Sequence, residues 1–310
     1  MAKASCRKAF TAELLRLAQQ DPALYLLATD SRGSVTGTDF FEQLPGQSVE
    51  VGIAEQNAVA IAAGLALMGK NVFVAGPACF LAARAYEQVK VDVAYNATSV
   101  KIVGVSAGVS YGPLGGTHAS LHDYAGMRSL PGLQVLAPSD AAQTRALTRQ
   151  LAAYQGPAYM RMGRGEVESL YSGDETFEVG KAKLVCEGGD VTLIACGEMV
   201  WRARQAAERL RARGITARVL DMFTLKPLDE EAVRRAARET GAIVTVEEHS
   251  VCGGLGEAVA RAAAQDTPVR VKVLGFPEEE YRVGSPEELF CAYGLTAGNI
   301  AAQAAALLGR

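Results

Sequence analysis

Twice along this chain, short runs of apolar residues alternate with stretches of helical periodicity, and this double series is what most narrows the choice of fold. The first series holds LYLLATD (24–30), NVFVAG (71–76), VKIVGVSAG (100–108), LQVLAP (133–138) and PAYMRM (157–162). The second holds VTLIACG (191–197), TARVLDM (216–222), AIVTVEE (242–248) and VRVKVLG (269–275). Strands this uniformly apolar must be covered on both faces, which predicts parallel sheets flanked by helices. The fold class is therefore α/β, with two doubly wound, mainly parallel-sheet domains. Between about Gly165 and Asp190 the pattern lapses into charged and glycine-bearing sequence. The expected division is a first domain over 1–168, a connection over 169–189 and a second domain over 190–310. With 310 residues, 49% of them hydrophobic, the chain can bury two cores.

Composition removes several function classes. A formal net charge of -3, with both signs interleaved, argues against a nucleic-acid track or an anionic membrane surface. The six cysteines are scattered singly without metal-ligand spacing, which suits reduced thiols and a cytoplasmic location. The most apolar window, Ala58 to Met68, is too short for a membrane span. Near the start, Phe10, Leu14, Leu15 and Leu17 predict an amphipathic helix belonging to the fold.

In open parallel sheets a ligand sits beyond the carboxyl ends of the strands. Five segments qualify here: DSRGSVTG (30–37), VGIAEQN (51–57), GPACF (76–80), SAGVSYGPLGGTHASLHD (106–123) and RMGRG (161–165). Within the second, Glu55 opens a helix that has almost no polar face after Asn57. Acidic residues favour a first helical turn in any protein, because unpaired backbone N–H groups stabilise them there. A helix apolar all round, however, is expected to lie buried within its domain. A carboxylate at its head would be partly desolvated, the condition under which carboxyl groups act as acids and bases near neutrality. His118 follows two glycines in LGGTH, where backbone can approach a ligand closely, and is the histidine expected to act. His122 and His249 carry no such context. Arg161 and Arg164 at one strand end, with Arg32 and Ser34 after another, would form a phosphate clamp if these loops converge.

VEVGIAEQNAVAIAAGLA closely resembles the pyrimidine-binding segment of thiamine-diphosphate enzymes of the transketolase and 1-deoxyxylulose-phosphate synthase group. GGTHASLHD resembles that group's histidine loop, MRMGRG its arginine strand end, and 191–260 its C-terminal domain. The resemblance implies that Glu55 hydrogen-bonds N1' of the coenzyme's aminopyrimidine and relays a proton through it. It implies that Phe80, after a local shift from the aligned positions Ala78 and Leu81, supplies the aromatic shelf under that ring. Asp30 and Ile53 join them as coenzyme contacts, His118 meets the substrate beside the reacting carbon, and Arg164 is the foremost phosphate ligand.

The family's GDG and asparagine constellation, which holds diphosphate and metal, does not occur in this sequence. The expectation is a split enzyme, with thiamine diphosphate and Mg2+ gripped mainly by an N-terminal partner subunit, no metal ligand in this chain, and an A2B2 heterotetramer built on a dimer core. A histidine and an aspartate that bind sugar in ordinary transketolases fall here on Ser106 and Leu114, which leaves the donor open. The expected activity is ketol transfer between a ketose, phosphorylated, and an aldose. The alternatives are a synthase-like chain, a 2-oxo acid dehydrogenase beta subunit, or a noncatalytic scaffold.

Overall fold

The computed structural model describes residues 3–310. Its strands are β1 (Lys3–Ser5), β2 (Leu24–Ala28), β3 (Ser48–Glu50), β4 (Asn71–Pro77), β5 (Val100–Val105), β6 (Gln134–Leu136), β7 (Ala158–Arg161), β8 (Glu166–Glu168), β9 (Lys183–Cys186), β10 (Val191–Ala195), β11 (Ala217–Asp221), β12 (Thr224–Lys226), β13 (Ala242–Ser250) and β14 (Arg270–Phe276). Each of the nine apolar runs read from the sequence coincides with one of them, β4, β13 and β14 extending one or two residues past the run.

Seven strands form the first sheet in the order β12-β6-β7-β5-β4-β2-β3, and five form the second in the order β14-β13-β10-β11-β9. Pairing is parallel except at the edge strands β12 and β9. Every residue of β4, β5 and β10 is buried, as strands covered on both faces require. Since β3 and β4 lie on opposite sides of β2, the chain reverses its winding there. A crevice therefore opens above the carboxyl ends of β2 and β4.

The two halves interlock. β12, which follows β11 in the second half, pairs with β6 and covers an edge of the first sheet. β1 and β8 form an antiparallel pair of their own. No helix among the described residues is long and apolar enough to cross a membrane.

One expectation needs correction. The helix Glu55–Leu67 is not buried all round: Ala58, Val59, Ala62 and Ala63 face the core, whereas Ala60, Gly64 and Leu67 are exposed. Ile53 is 75% exposed and Met68 81%. The π-helical stretch Val89–Tyr95 packs beside this helix and presents Val91 and Tyr95, the latter 85% exposed. The helix is apolar on both faces, and the described residues cover one of them.

Candidate active site

Five strand exits converge at the carboxyl edge of the first sheet, and a continuous line of side chains joins them. The line starts at Glu55, first residue of its helix and only 4% exposed. Its two carboxylate oxygens accept from Nη1 of Arg84 at 3.1 and 3.2 Å. Arg84 closes the helix Ala78–Arg84 that follows β4, one turn after Phe80. Its guanidinium carbon lies 4.1 Å from the Phe80 ring centroid, in cation–π range. Ala78 and Leu81 are fully buried in the core, so in this helix Phe80 is the ring with an open surface.

His118 stands edge-on to Phe80, with ring centroids 5.2 Å apart, and edge-on to Tyr111 at 5.7 Å. Its Nδ1 lies 2.9 Å from Thr117 Oγ1, which orients the ring and leaves Nε2 for a ligand. Arg164, just past β7, donates to the Tyr111 hydroxyl at 3.0 Å and reaches Ser106 Oγ at 3.5 Å. Arg7 then ties two loops together, donating to the carbonyl of Arg164 at 2.7 Å and to that of Ser34.

The loop after β2 is fixed from the other side. Glu50 accepts from the Asp30 N–H at 2.6 Å and the Gly52 N–H at 3.2 Å, and pairs with Arg32 at 3.2 Å. Asp30 and Ser106, each placed just after a strand, have φ of 53° and 54°. Left-handed backbone at a residue other than glycine is strained, and such strain is held where surrounding contacts over-determine the chain, often at sites.

Arg161 does not join this line, which corrects its reading as part of the clamp. It is 4% exposed, its Nη1 lies 3.3 Å from Asp123 and its Nη2 donates to the carbonyl of Glu248 at 2.7 Å. Tyr124 lies under it, with the guanidinium carbon 4.3 Å from the ring centroid. Burial by itself lowers its pKa, but Asp123, Tyr124 and Glu248 outweigh that and hold the guanidinium protonated. Nothing of its charge is left for a substrate.

Around Arg161 lies a seam between the halves. Burial, with Glu198 nearby, pushes the Glu248 carboxyl up to about 8, and burial pushes Glu198 up to about 7. Glu248 accepts from the Val109 N–H at 2.8 Å, an approach that Gly108 permits: a Cβ there would come within 2.1 Å of the carboxyl. His249 is fully buried, with Nδ1 2.8 Å from the Ser250 carbonyl, and burial lowers its pKa to about 4. It is a packing residue, while His122 is exposed at the start of the helix Asp123–Ser129. Among the described residues no group of three or more His, Cys, Asp or Glu side chains is placed to hold a metal.

Arg7, Glu50, Arg84 and Tyr111 belong to the site although the sequence reading passed over them. For Arg84 and Tyr111 a signal existed: one sits a helical turn beyond Phe80, the other inside the glycine-rich loop of His118. Arg7 and Glu50 work through long-range contacts that no local pattern announces.

The α/β architecture with this carboxyl-edge site defines a chain of the transketolase class. Residues 2–169 match the family model described as transketolase, pyrimidine binding domain, and residues 180–300 the model for the transketolase C-terminal domain. The chain belongs to the transketolase family. It is 53% identical over 292 residues to one subunit of the apulose-4-phosphate transketolase of Phocaeicola vulgatus, covering 94% of this chain and 93% of that one. It is 42% identical to the 6-deoxy-6-sulfo-D-fructose transketolase subunit SqwH of a Clostridium species, over 93% and 89% of the two chains. A solved structure described as a split gene transketolase, inactive beta4 tetramer, superposes with a TM-score of 0.90 at 40% identity, covering 99% of both chains.

Proposed function

We propose that this subunit transfers a two-carbon ketol unit from a ketose to an aldose, using thiamine diphosphate whose diphosphate and Mg2+ are gripped by an N-terminal partner subunit. One observation supports this above others: Glu55 is a buried carboxylate at a helix head whose two oxygens already accept N–H groups from a planar cation stacked on Phe80. A pocket that seats a flat N–H donor in this way fits an aminopyrimidine. Bound there, the coenzyme supplies the nucleophilic carbon that carries the ketol fragment.

The chain's own residues do the rest. Glu55, itself buried, would hold and exchange a proton at the pyrimidine N1'. Phe80 bears the ring, and Asp30 and Ile53 border it. His118 offers Nε2 to the substrate hydroxyl or carbonyl oxygen, where it holds or moves a proton. Arg164, with Arg32 and Ser34 on the neighbouring loop, meets the anionic end of the sugar; the relatives' names give one sugar bearing a phosphate and one bearing a sulfo group.

The division into 1–168 and 190–310 carries these roles on the first half. The exposed face of Glu55–Leu67, with Ile53, Met68 and Tyr95, supports self-association into the dimer core of an A2B2 heterotetramer. Replacing Leu67 and Met68 by glutamate is expected to yield a monomeric chain by sedimentation, and an unchanged assembly would refute that surface. The tetramer of the related beta chain alone is described as inactive, in keeping with a need for the partner. Six free cysteines suit the cytoplasm.

The test is the co-purified complex with thiamine diphosphate and Mg2+, assayed on hydroxypyruvate and a panel of aldoses. Glu55→Ala is expected to reduce ketol transfer at least ~100-fold, the size of a lost acid/base group. Equal turnover in mutant and wild type would remove Glu55 from the reaction.

A further inference from the structure

The same contacts that suit Glu55 and Phe80 to an aminopyrimidine are, in this chain, already made by Arg84. We propose that the Arg84 guanidinium is a resident stand-in for the aminopyrimidine, which must be displaced when the coenzyme binds, so that Arg84 sets coenzyme affinity. This rests on the proposed coenzyme seat and deepens it.

Three features of the ion pair carry the inference. A guanidinium is a planar N–C–N unit that donates hydrogen bonds in its plane and stacks through its faces. Arg84 uses both properties at once, reaching both oxygens of Glu55 at 3.1 and 3.2 Å while its carbon lies 4.1 Å from the Phe80 centroid. The aminopyrimidine would use the same carboxylate and the same ring, so the two occupants exclude each other.

The pair is also lopsided. Glu55 has a side-chain exposure of 4% and cannot turn to water, whereas the Arg84 side chain is 49% exposed. A long, half-solvated arm can leave with little loss of hydration, and a buried carboxylate left alone is costly. In the unloaded subunit Arg84 therefore compensates Glu55; in the loaded one the coenzyme does.

Arg84→Met should lower the unfolding midpoint of the unloaded subunit, because Glu55 loses its partner. It should also tighten thiamine diphosphate binding to the assembled complex by about threefold to tenfold, since the competing ion pair is gone. Arg84→Lys, which keeps the charge but loses the planar stack, should fall between the two. A merely structural ion pair would weaken both properties together.

The experiment is isothermal titration of thiamine diphosphate, with Mg2+ present, into the complex of this subunit with its partner. It compares wild type, Arg84→Met, Arg84→Lys and Glu55→Ala, with thermal unfolding of each small subunit. Tighter binding in Arg84→Met beside weaker binding in Glu55→Ala supports the stand-in. Unchanged or weaker binding in Arg84→Met, while Glu55→Ala still weakens it, overturns the stand-in and leaves the coenzyme seat standing. Wild-type affinity in Glu55→Ala, or no binding by the wild-type complex, overturns both.

Discussion

Arg161 and Arg164 are three residues apart on one strand exit, yet they belong to different parts of the molecule. Arg161 turns into the seam between the halves, where Asp123, Tyr124 and the Glu248 carbonyl satisfy it. Arg164 turns along the carboxyl edge, where Tyr111 and Ser106 hold it and, among the described residues, no carboxylate pairs with it. One arginine has its charge neutralised by the protein and the other does not. The contrast extends to the carboxylates: Glu248 lies in the closed seam against a glycine, while Glu55 is paired only with a half-exposed arm. Charges whose partners the chain supplies in full serve the fold, and charges left with a replaceable partner are free to serve a ligand.

The largest expected effect lies on the closed side. Arg161→Met leaves the Asp123 charge buried and unpaired, and should destabilise the chain by about 3–5 kcal/mol in denaturant unfolding. A loss as small as that of a surface arginine would place Arg161 among the open groups and erase the contrast. On the open side, Arg164→Gln should leave the unfolding midpoint near wild type. In the complex it should raise KM for a phosphorylated donor about tenfold with kcat nearly unchanged, as expected for a contact made equally in ground and transition states. A fall in kcat at constant KM would move Arg164 from substrate anchoring to the chemical step.

A smaller effect follows from the seam's carboxyls. In the folded chain burial raises both Glu248 and Glu198 well above the ordinary value of 4.5, with Glu198 adding to the rise at Glu248. Glu247 and Asp221, also pushed up to about 7 by burial, act in the same direction. Below about pH 4 both folded and unfolded chains keep these protons. Between there and about pH 8 the unfolded chain has lost protons that the folded one retains, so stability falls as pH rises and levels off above that range. Below about pH 6.5 the buried His249, lowered to about 4, acts in the opposite direction, so the melting temperature should decline from about pH 6.5 to pH 8, and Glu248→Gln, which keeps an acceptor for the Val109 N–H, should flatten the decline. A melting temperature that climbs across this range would contradict the protonated seam.

How far this division could be read in advance differs between its two sides. Nine of the twelve strands in the two sheets were legible because burial on two faces leaves an unbroken apolar run. The convergence of Glu55, Phe80 and His118 was legible because their local sequences are distinctive and because loops at carboxyl edges gather. The short edge strands β1, β8, β9 and β12 were not, since three or four residues with one covered face give no periodicity. The different fates of Arg161 and Arg164 were equally hidden. Which of two neighbouring arginines meets Asp123 depends on strand alternation and on a second half packed beneath the sheet, neither visible in MRMGRG. The helix Glu55–Leu67 misled for a related reason: composition reports that a face must be covered, without reporting by which chain.

The central claim is that the open side is half of a coenzyme site, completed by another polypeptide. It is tested most directly by titrating thiamine diphosphate, with Mg2+, into the isolated subunit and into its complex with the N-terminal partner. The account predicts saturable binding by the complex and none by the isolated chain. Equal affinity in the two preparations, or ketol transfer by this chain alone, would contradict it.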